Sequence, residues 1–335
     1  MTTISATSIL ASRHATTGDR LDTLLLRYPR CIHSEFMTHR MFSRNAASSR
    51  AIPVEKLIQD MLDDPFVPIV WGKNQKGMQA GEECRNEVML MRPFHVPERL
   101  IPFPGDTDRM YSAFPAGIGW KEYPVAPSVA WQEARDYAIK FARAFSNAGY
   151  HKQIVNRLLE PFSHITVVCS STNWSNFLAL RDHPDAEPHI QMLAREIRKA
   201  LDDAEVQELQ PGDWHLPFVT KEEIRQCERE TYNTDNGSDA WLVVTKLKKL
   251  SAARCASTSY KTVDGFDMTI ERAAALVDKL IGSTPLHASP FEHVAQADET
   301  FFDGEESIGG YRHHHQHGNF TGFRQWRKML PNESL

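Results

Sequence analysis

The sequence predicts an α/β (α+β) protein. A β-branched run, Ile165-Thr-Val-Val-Cys-Ser170, reads as a strand, while residues 128–147 put Ala130, Ala134, Tyr137, Ala138, Phe141, Ala142 and Phe145 on one helical face. Strand-like and helical segments then follow one another along the chain. Of the 335 residues, 41% are hydrophobic and 24% charged, enough to bury a sizeable core as one large domain or two ordinary ones.

Taken in order, residues 20–37 carry apolar positions that fit either a strand broken by Pro29 or a strand leading into a helical turn. Pro53 stands at a favourable first helical position, and Leu57, Ile58, Met61 and Leu62 follow at helical spacing, so a helix spans about 53–63. Residues 64–126 are rich in Pro, Gly and Trp, with a polar island at 74–81 and turn chemistry at Pro102-Phe-Pro-Gly-Asp106, and read as an ordered loop region or an insertion. The helix at 128–147 stops at Asn147-Ala-Gly149, and a second, over about 151–160, carries Ile154, Leu158 and Leu159 and ends before Pro161. After the strand at 165–170 come helices over 174–181 and 189–201. The acidic segment 202–238 is a connection or the edge of a lobe; 240–247 is strand-like, 269–281 helical, and the last fifty residues are loop-rich. There is no tandem repeat.

A formal net charge of −5 argues against bulk binding to nucleic acid, while a local basic pocket for a nucleotide-sized anion stays compatible with it. The five cysteines are widely spaced, odd in number and without a C-x-x-C pair, which indicates neither a disulfide framework nor zinc and points to a reducing cytoplasm. The N-terminal stretch lacks the basic start and apolar core of a signal peptide. No apolar run approaches the roughly 18 residues of a membrane span, so the expectation is a soluble cytoplasmic protein with no membrane partner.

The chemistry concentrates in His39-Arg-Met-Phe-Ser-Arg-Asn-Ala-Ala-Ser-Ser-Arg50, a polar run between apolar segments. Arginine forks match phosphate oxygens, hydroxyls and backbone N–H groups complete a shell, and Ala46 and Ala47 permit close approach; the other reading of such a composition is a solvated loop. The helix expected from Pro53 adds free N–H groups nearby. A second constellation holds Arg157-Leu-Leu-Glu-Pro161 and Asn176-Phe-Leu-Ala-Leu-Arg181, whose arginines by themselves read as caps on helix ends. A third holds Ala252-Ala-Arg-Cys-Ala-Ser-Thr-Ser-Tyr260 and His287-Ala-Ser-Pro-Phe-Glu-His293, where the His and Glu spacing matches neither H-E-x-x-H nor a helical facial triad.

The run at 39–50 resembles the R-H-R-x-x-S-x-N-x-x-S-x-R-Y signature of the flavin-dependent thymidylate synthases, with Thr38 in place of the first Arg and Ala51 in place of the Tyr. The second constellation resembles that family's Arg before a Leu-Pro pair and its F-L-x-L-R element. The third resembles A-R-V-S-Y and H-x-[ST]-P-F-E-H, with Ser257 at the Arg. In the family these last elements precede the signature; here they follow it, and Phe323-Arg-Gln-Trp-Arg327 resembles the R-Q-W segment that ordinarily runs into R-H-R, so the order looks circularly permuted. If so, residues 252–293 and 323–327 meet beside 39–50.

The resemblance implies a mixed sheet with flanking helices and a single domain over 1–335, its signature half at about 20–200 and its second half at about 240–330, with 64–126 and 202–238 as possible insertions. It implies FAD held by His39, Arg40, Asn176, Ser259, His287, Ser289 and Glu292. It implies the dUMP phosphate on Ser48, Ser49 and Arg50, and the pyrimidine on Arg157 and Arg181, the two residues expected to act in catalysis. Glu35 and Gln325 compete for the place of the R-Q-W glutamine. NADPH and 5,10-methylenetetrahydrofolate complete the expected reaction, with dTMP as product and a homotetramer as the assembly. Methylating C5 of uracil needs either a nucleophile added at C6 or strong polarisation of the ring. No cysteine sits in the Pro-Cys-His setting of the cysteine-dependent enzymes, and no G-x-G-x-x-G follows a strand, so convergent arginines with a non-Rossmann flavin are the expected solution. Related outcomes are a C5-hydroxymethyl product or dCMP as substrate, motivated by Glu35, and a non-catalytic nucleotide-binding protein. His313 to His317 read as a mobile loop tip at the pocket entrance, with no metal assigned.

Overall fold

Residues 20–37 form a strand leading into helical turns. In the computed structural model, which describes residues 3–77, 81–96, 99–103, 106–114, 116–234, 240–258, 267–302, 308–331 and 333, β1 (Ser5–His14) and β2 (Arg20–Pro29) pair antiparallel, and α1 (His33–Phe36) follows a 3-10 turn. The centre of the polar run is itself a strand, β3 (Ser43–Ala46), and α2 (Val54–Asp63) starts just past Pro53. Contacts divide the chain into one unit of Met1–Phe66 with Ala142–Leu335 and another of Val67–Phe141. The smaller unit is two antiparallel ribbons, β4 (Val88–Val96) with β7 (Gly117–Val125) and β5 (Arg99–Phe103) with β6 (Asp106–Phe114), and it takes in α3 (Pro127–Asn147) up to Phe141.

In the larger unit the expected helix at 151–160 is broken. α4 (Lys152–Val155) passes into 3-10 turns over Asn156–Leu158 and Glu160–Phe162, the second of which contains Pro161. Then come β8 (His164–Ser171), α5 (Ser175–Arg181) and α6 (Pro188–Asp202), with Glu187 capping α6 by accepting from the backbone N–H of His189 and Ile190. β9 (Val206–Leu209), β10 (Trp214–His215) and α7 (Lys221–Thr234) give the acidic segment regular structure. The strand expected at 240–247 is instead part of α8 (Ala240–Ser257). Val243, Leu247 and Leu250 are buried at helical spacing, and their packing overrides the β-branched composition of Val243-Val-Thr245. α9 (Ile270–Ile281), β11 (Ala295–Ala297), β12 (Thr300–Phe302), β13 (Ile308–Tyr311), β14 (Phe323–Gln325) and α10 (Trp326–Met329) complete the chain. Among the described residues no helix is long and apolar enough to cross a membrane.

The main sheet has the order β3-β8-β2-β1-β9 and is mixed, since β9 joins β1 in parallel and the other pairs are antiparallel. Alternation places Leu24, Leu26 and Tyr28 of β2 with Ile165, Val167 and Cys169 of β8 on one face, packed with Phe36, Phe42, Phe177 and the Ile190, Leu193, Ala194 and Ile197 stripe of α6. The other face meets a second sheet, β10-β11-β14, partly through Leu21, Ala295, Ala297 and Phe323.

Between those sheets runs a buried polar seam. Thr23 and Ser170 are cross-strand partners with hydroxyls 2.6 Å apart; His215 lies 2.8 Å from Thr23 and 2.7 Å from Ser12; His293 lies 2.8 Å from Ser170. With both rings neutral, donation runs in either sense along Ser12, His215, Thr23, Ser170 and His293 Nδ1, and the Gln207 amide donates to Ser12 at the end of the chain. Burial enforces that neutrality by pushing both histidines down to about 3.

Candidate functional site

Arg44 shapes the start of the polar run by donating from Nη1 to the carbonyls of Phe36 and His39, each at 3.0 Å. That turn lays the His39 ring edge-on against Phe177, centroids 4.9 Å apart, and beside Phe42, which packs at 4.6 Å on Trp174. Arg181, at the end of α5, donates from Nε to His39 Nε2 at 3.0 Å, so the ring proton belongs on Nδ1, and its Nη1 reaches Glu35 Oε2 at 3.4 Å. Burial, then the charges of Arg181 and Arg44, holds His39 below the ordinary histidine value of 6.5, which keeps it the neutral acceptor this bond needs.

These groups border a cavity of about 370 Å³ lined by Thr38, His39, Arg40, Met41, Phe42, Asn173, Asn176, Phe177, Leu180 and Arg181. His39, Arg40, Asn176 and Arg181 therefore come together as expected of one site, with Glu35 behind Arg181. Arg40 and Asn176 are exposed and have no hydrogen bond or ion pair among the described residues. The cavity thus offers an uncommitted guanidinium and amide against an aromatic wall.

The far end of the run forms a second group. Ser49 Oγ donates to Glu160 Oε1 at 2.6 Å, Arg157 Nη1 donates to both Glu160 oxygens at 3.1 Å, and the buried Asn156 amide donates to the carbonyls of Ser49 and Ile52 at 2.7 and 3.0 Å. Ser48 and Arg50 are exposed, and Arg50 has no partner among the described residues. Arg157 is not part of the lining around Arg181.

A third group meets β3. Asn45 Nδ2 donates to the Cys255 carbonyl at 2.6 Å and Asn45 Oδ1 accepts from Ser289 at 3.3 Å, while Glu292 pairs with Arg327 and His287 is exposed. Gln325 is buried and donates to Ser43 Oγ at 3.2 Å. The contacts required by a permuted order, from 252–293 and 323–327 onto 39–50, are present, although His287, Ser289, Glu292 and Gln325 do not line the cavity. Ser259 lies outside the described residues.

Other side chains at the site were not legible as such. Asn156 and Glu160 flank Arg157 and could have been noticed from that position; Ser171 and Asn319, which hold the Met41 carbonyl, carry no sequence signal. The rings of His313 and His317 bond the fully buried Asp298, at 2.7 and 2.9 Å, while His314 and His315 at the tip are exposed. Among the described residues no three His, Cys, Asp or Glu side chains are grouped to hold a metal. Burial pushes the thiols of Cys169, Cys227 and Cys255 up, away from a reactive thiolate.

No family model and no curated protein matches the chain. Among solved structures it is similar to the UMP/dUMP methylase PolB from Streptomyces cacaoi bound with 5-Br dUMP, at 13% identity and a TM-score of 0.37, over 60% of this chain and 90% of that one. It is also similar to the same methylase bound with 5-Br UMP, at 12% identity and a TM-score of 0.33, over 60% and 89%.

Proposed function

We propose that the protein is a flavin- and folate-dependent pyrimidine nucleotide C5-methyltransferase of the flavin-dependent thymidylate synthase type, converting dUMP to dTMP with FAD, NADPH and 5,10-methylenetetrahydrofolate. One observation carries the reading. His39 and Arg181, 142 positions apart, bond each other at the edge of a cavity that Arg40 and Asn176 also line, and the sequence resemblance assigns all four to flavin or substrate. The donor set suits an anionic ligand bearing a flat ring, because Arg40 and Asn176 are free to donate and Phe177 supplies an apolar wall.

Bound flavin would supply the hydride chemistry that the side chains lack. The chain's own contribution is positional and electrostatic. Arg181, fixed by neutral His39 and by Glu35, polarises a pyrimidine carbonyl and draws charge away from the ring; Ser48 and Arg50 take the phosphate. The absence of a lowered thiol among the shifted cysteines agrees with activation by arginine in place of covalent attack. The assembly proposed with this reading is a homotetramer in which His287, Ser289 and Glu292 complete a neighbour's flavin site.

Glu35 favours a second reading. Its carboxylate beside Arg181 can accept from a cytosine amino group, which would make dCMP the substrate or a hydroxymethyl pyrimidine the product. Incubating the purified protein with FAD, NADPH, methylenetetrahydrofolate and dUMP or dCMP, then weighing the products, separates these. A mass gain of one methyl group on dUMP supports the first reading; modified dCMP with untouched dUMP replaces it. A colourless protein that takes up no added FAD would leave a non-catalytic nucleotide-binding protein.

A further inference from the structure

We propose that Asn319 is a positioning residue for the cavity, setting the wall that carries Arg40 by clamping the Met41 carbonyl; this rests on reading the cavity as a ligand site. Asn319 Nδ2 donates to that carbonyl at 2.9 Å, and the single Ser171 hydroxyl proton is shared between it, at 3.1 Å, and the Asn173 carbonyl, at 3.0 Å. The orientation of the Asn319 amide is forced. Its Oδ1 accepts from Gln325 Nε2 at 2.7 Å and from Ser43 Oγ at 3.1 Å, so a flipped amide would set its NH₂ against one of these donors and leave the Met41 carbonyl facing an oxygen.

The segment bearing Asn319 is itself anchored. Asp298 holds His313 and His317 on one side, Phe320 is buried with Leu21 and Phe323, and Thr321 N–H donates to Thr172 Oγ1 at 3.0 Å. Gly318 has φ +63°, and a Cβ there would fall 2.4 Å from Gln325 Oε1, so glycine is required for Gln325 to reach Asn319. By contrast two amides that bracket Arg40 and Met41 make long bonds, His39 N–H to the Phe36 carbonyl and Phe42 N–H to the His39 carbonyl, both 3.4 Å. Arg40, with no partner among the described residues, is placed by that backbone.

Asn319→Asp keeps the acceptor contacts and removes the donor to Met41. Amide hydrogen exchange of residues 37–43 in the ligand-free protein is expected to rise about tenfold while exchange in β2 and β8 is unchanged, and affinity for FAD is expected to weaken about tenfold. Asn319→Ala, which adds no charge, is expected to give the same local acceleration. Unchanged exchange at 37–43, or equal acceleration in β2 and β8 in both variants, overturns the proposal. If the wild type binds no FAD, the functional reading fails while the exchange result still decides the role of Asn319.

Discussion

The two ends of the run 39–50 share a composition of arginine and small polar residues and are built in opposite ways. At the His39 end the ring is packed on Phe42 and Phe177, Arg181 is fixed on it, and Arg40 and Asn176 are left uncommitted. At the Ser48 end Ser49 and Arg157 are already satisfied by Glu160, and an arriving anion would compete with that carboxylate. The difference teaches that a polar run becomes a site where packing fixes some of its groups and leaves others without partners.

That contrast can be broken by substitution. Arg181→Ala is expected to lower turnover about 100-fold with a smaller rise in apparent KM for dUMP, in steady-state assays; an equal effect on both would make Arg181 a simple binding residue. Asn156→Ala, which removes the amide holding Ser49 and Ile52, is expected to cost about 2 kcal/mol in denaturant unfolding. A loss near zero would mean the Ser48 end needs no such support. Arg50→Ala is expected to weaken dUMP binding about tenfold by calorimetry while kcat at saturation holds within about twofold. The smallest effect is on pH. Because His39 is held below 6.5, its neutral form and the bond from Arg181 persist as pH falls to that value and are lost only on further acidification. FAD affinity is expected to be flat from about pH 8 to 6.5 and to fall a few-fold below that range, and an affinity that rises there would contradict a neutral His39.

Much of the scaffold was legible because single segments carry their own period. β8, α3, α5, α6 and α9 lie close to where hydrophobic spacing put them. β1 escaped notice because its large apolar residues, Ile9 and Leu10, are adjacent among Ser, Thr and Ala and so show no alternation, and β3 because a polar run hid it. α8 was misread since its Val-Val-Thr start is strand-like in isolation and is helical only against α9 and its neighbours. That His39, Arg40, Asn176 and Arg181 border one cavity was expected from the family resemblance. That Arg157 belongs with Glu160 and not beside Arg181 was not, since nothing in the order of residues says which carboxylate an arginine will meet.

By itself the sequence determined the α/β class, the helices α2, α3, α5, α6 and α9, the strand at 165–170 and the residue types at the cavity, because period and side-chain chemistry are local properties. Tertiary structure alone decided which polar groups were neutralised in pairs and which stayed free. It joined Ser12, Thr23 and Ser170 through His215 and His293, and it carried Asn319 and Gln325 from the far end of the chain to Met41 and Ser43. The physical reason is that hydrogen-bond satisfaction in a buried seam depends on which strands lie side by side, and that neighbourhood is set by packing of the whole unit.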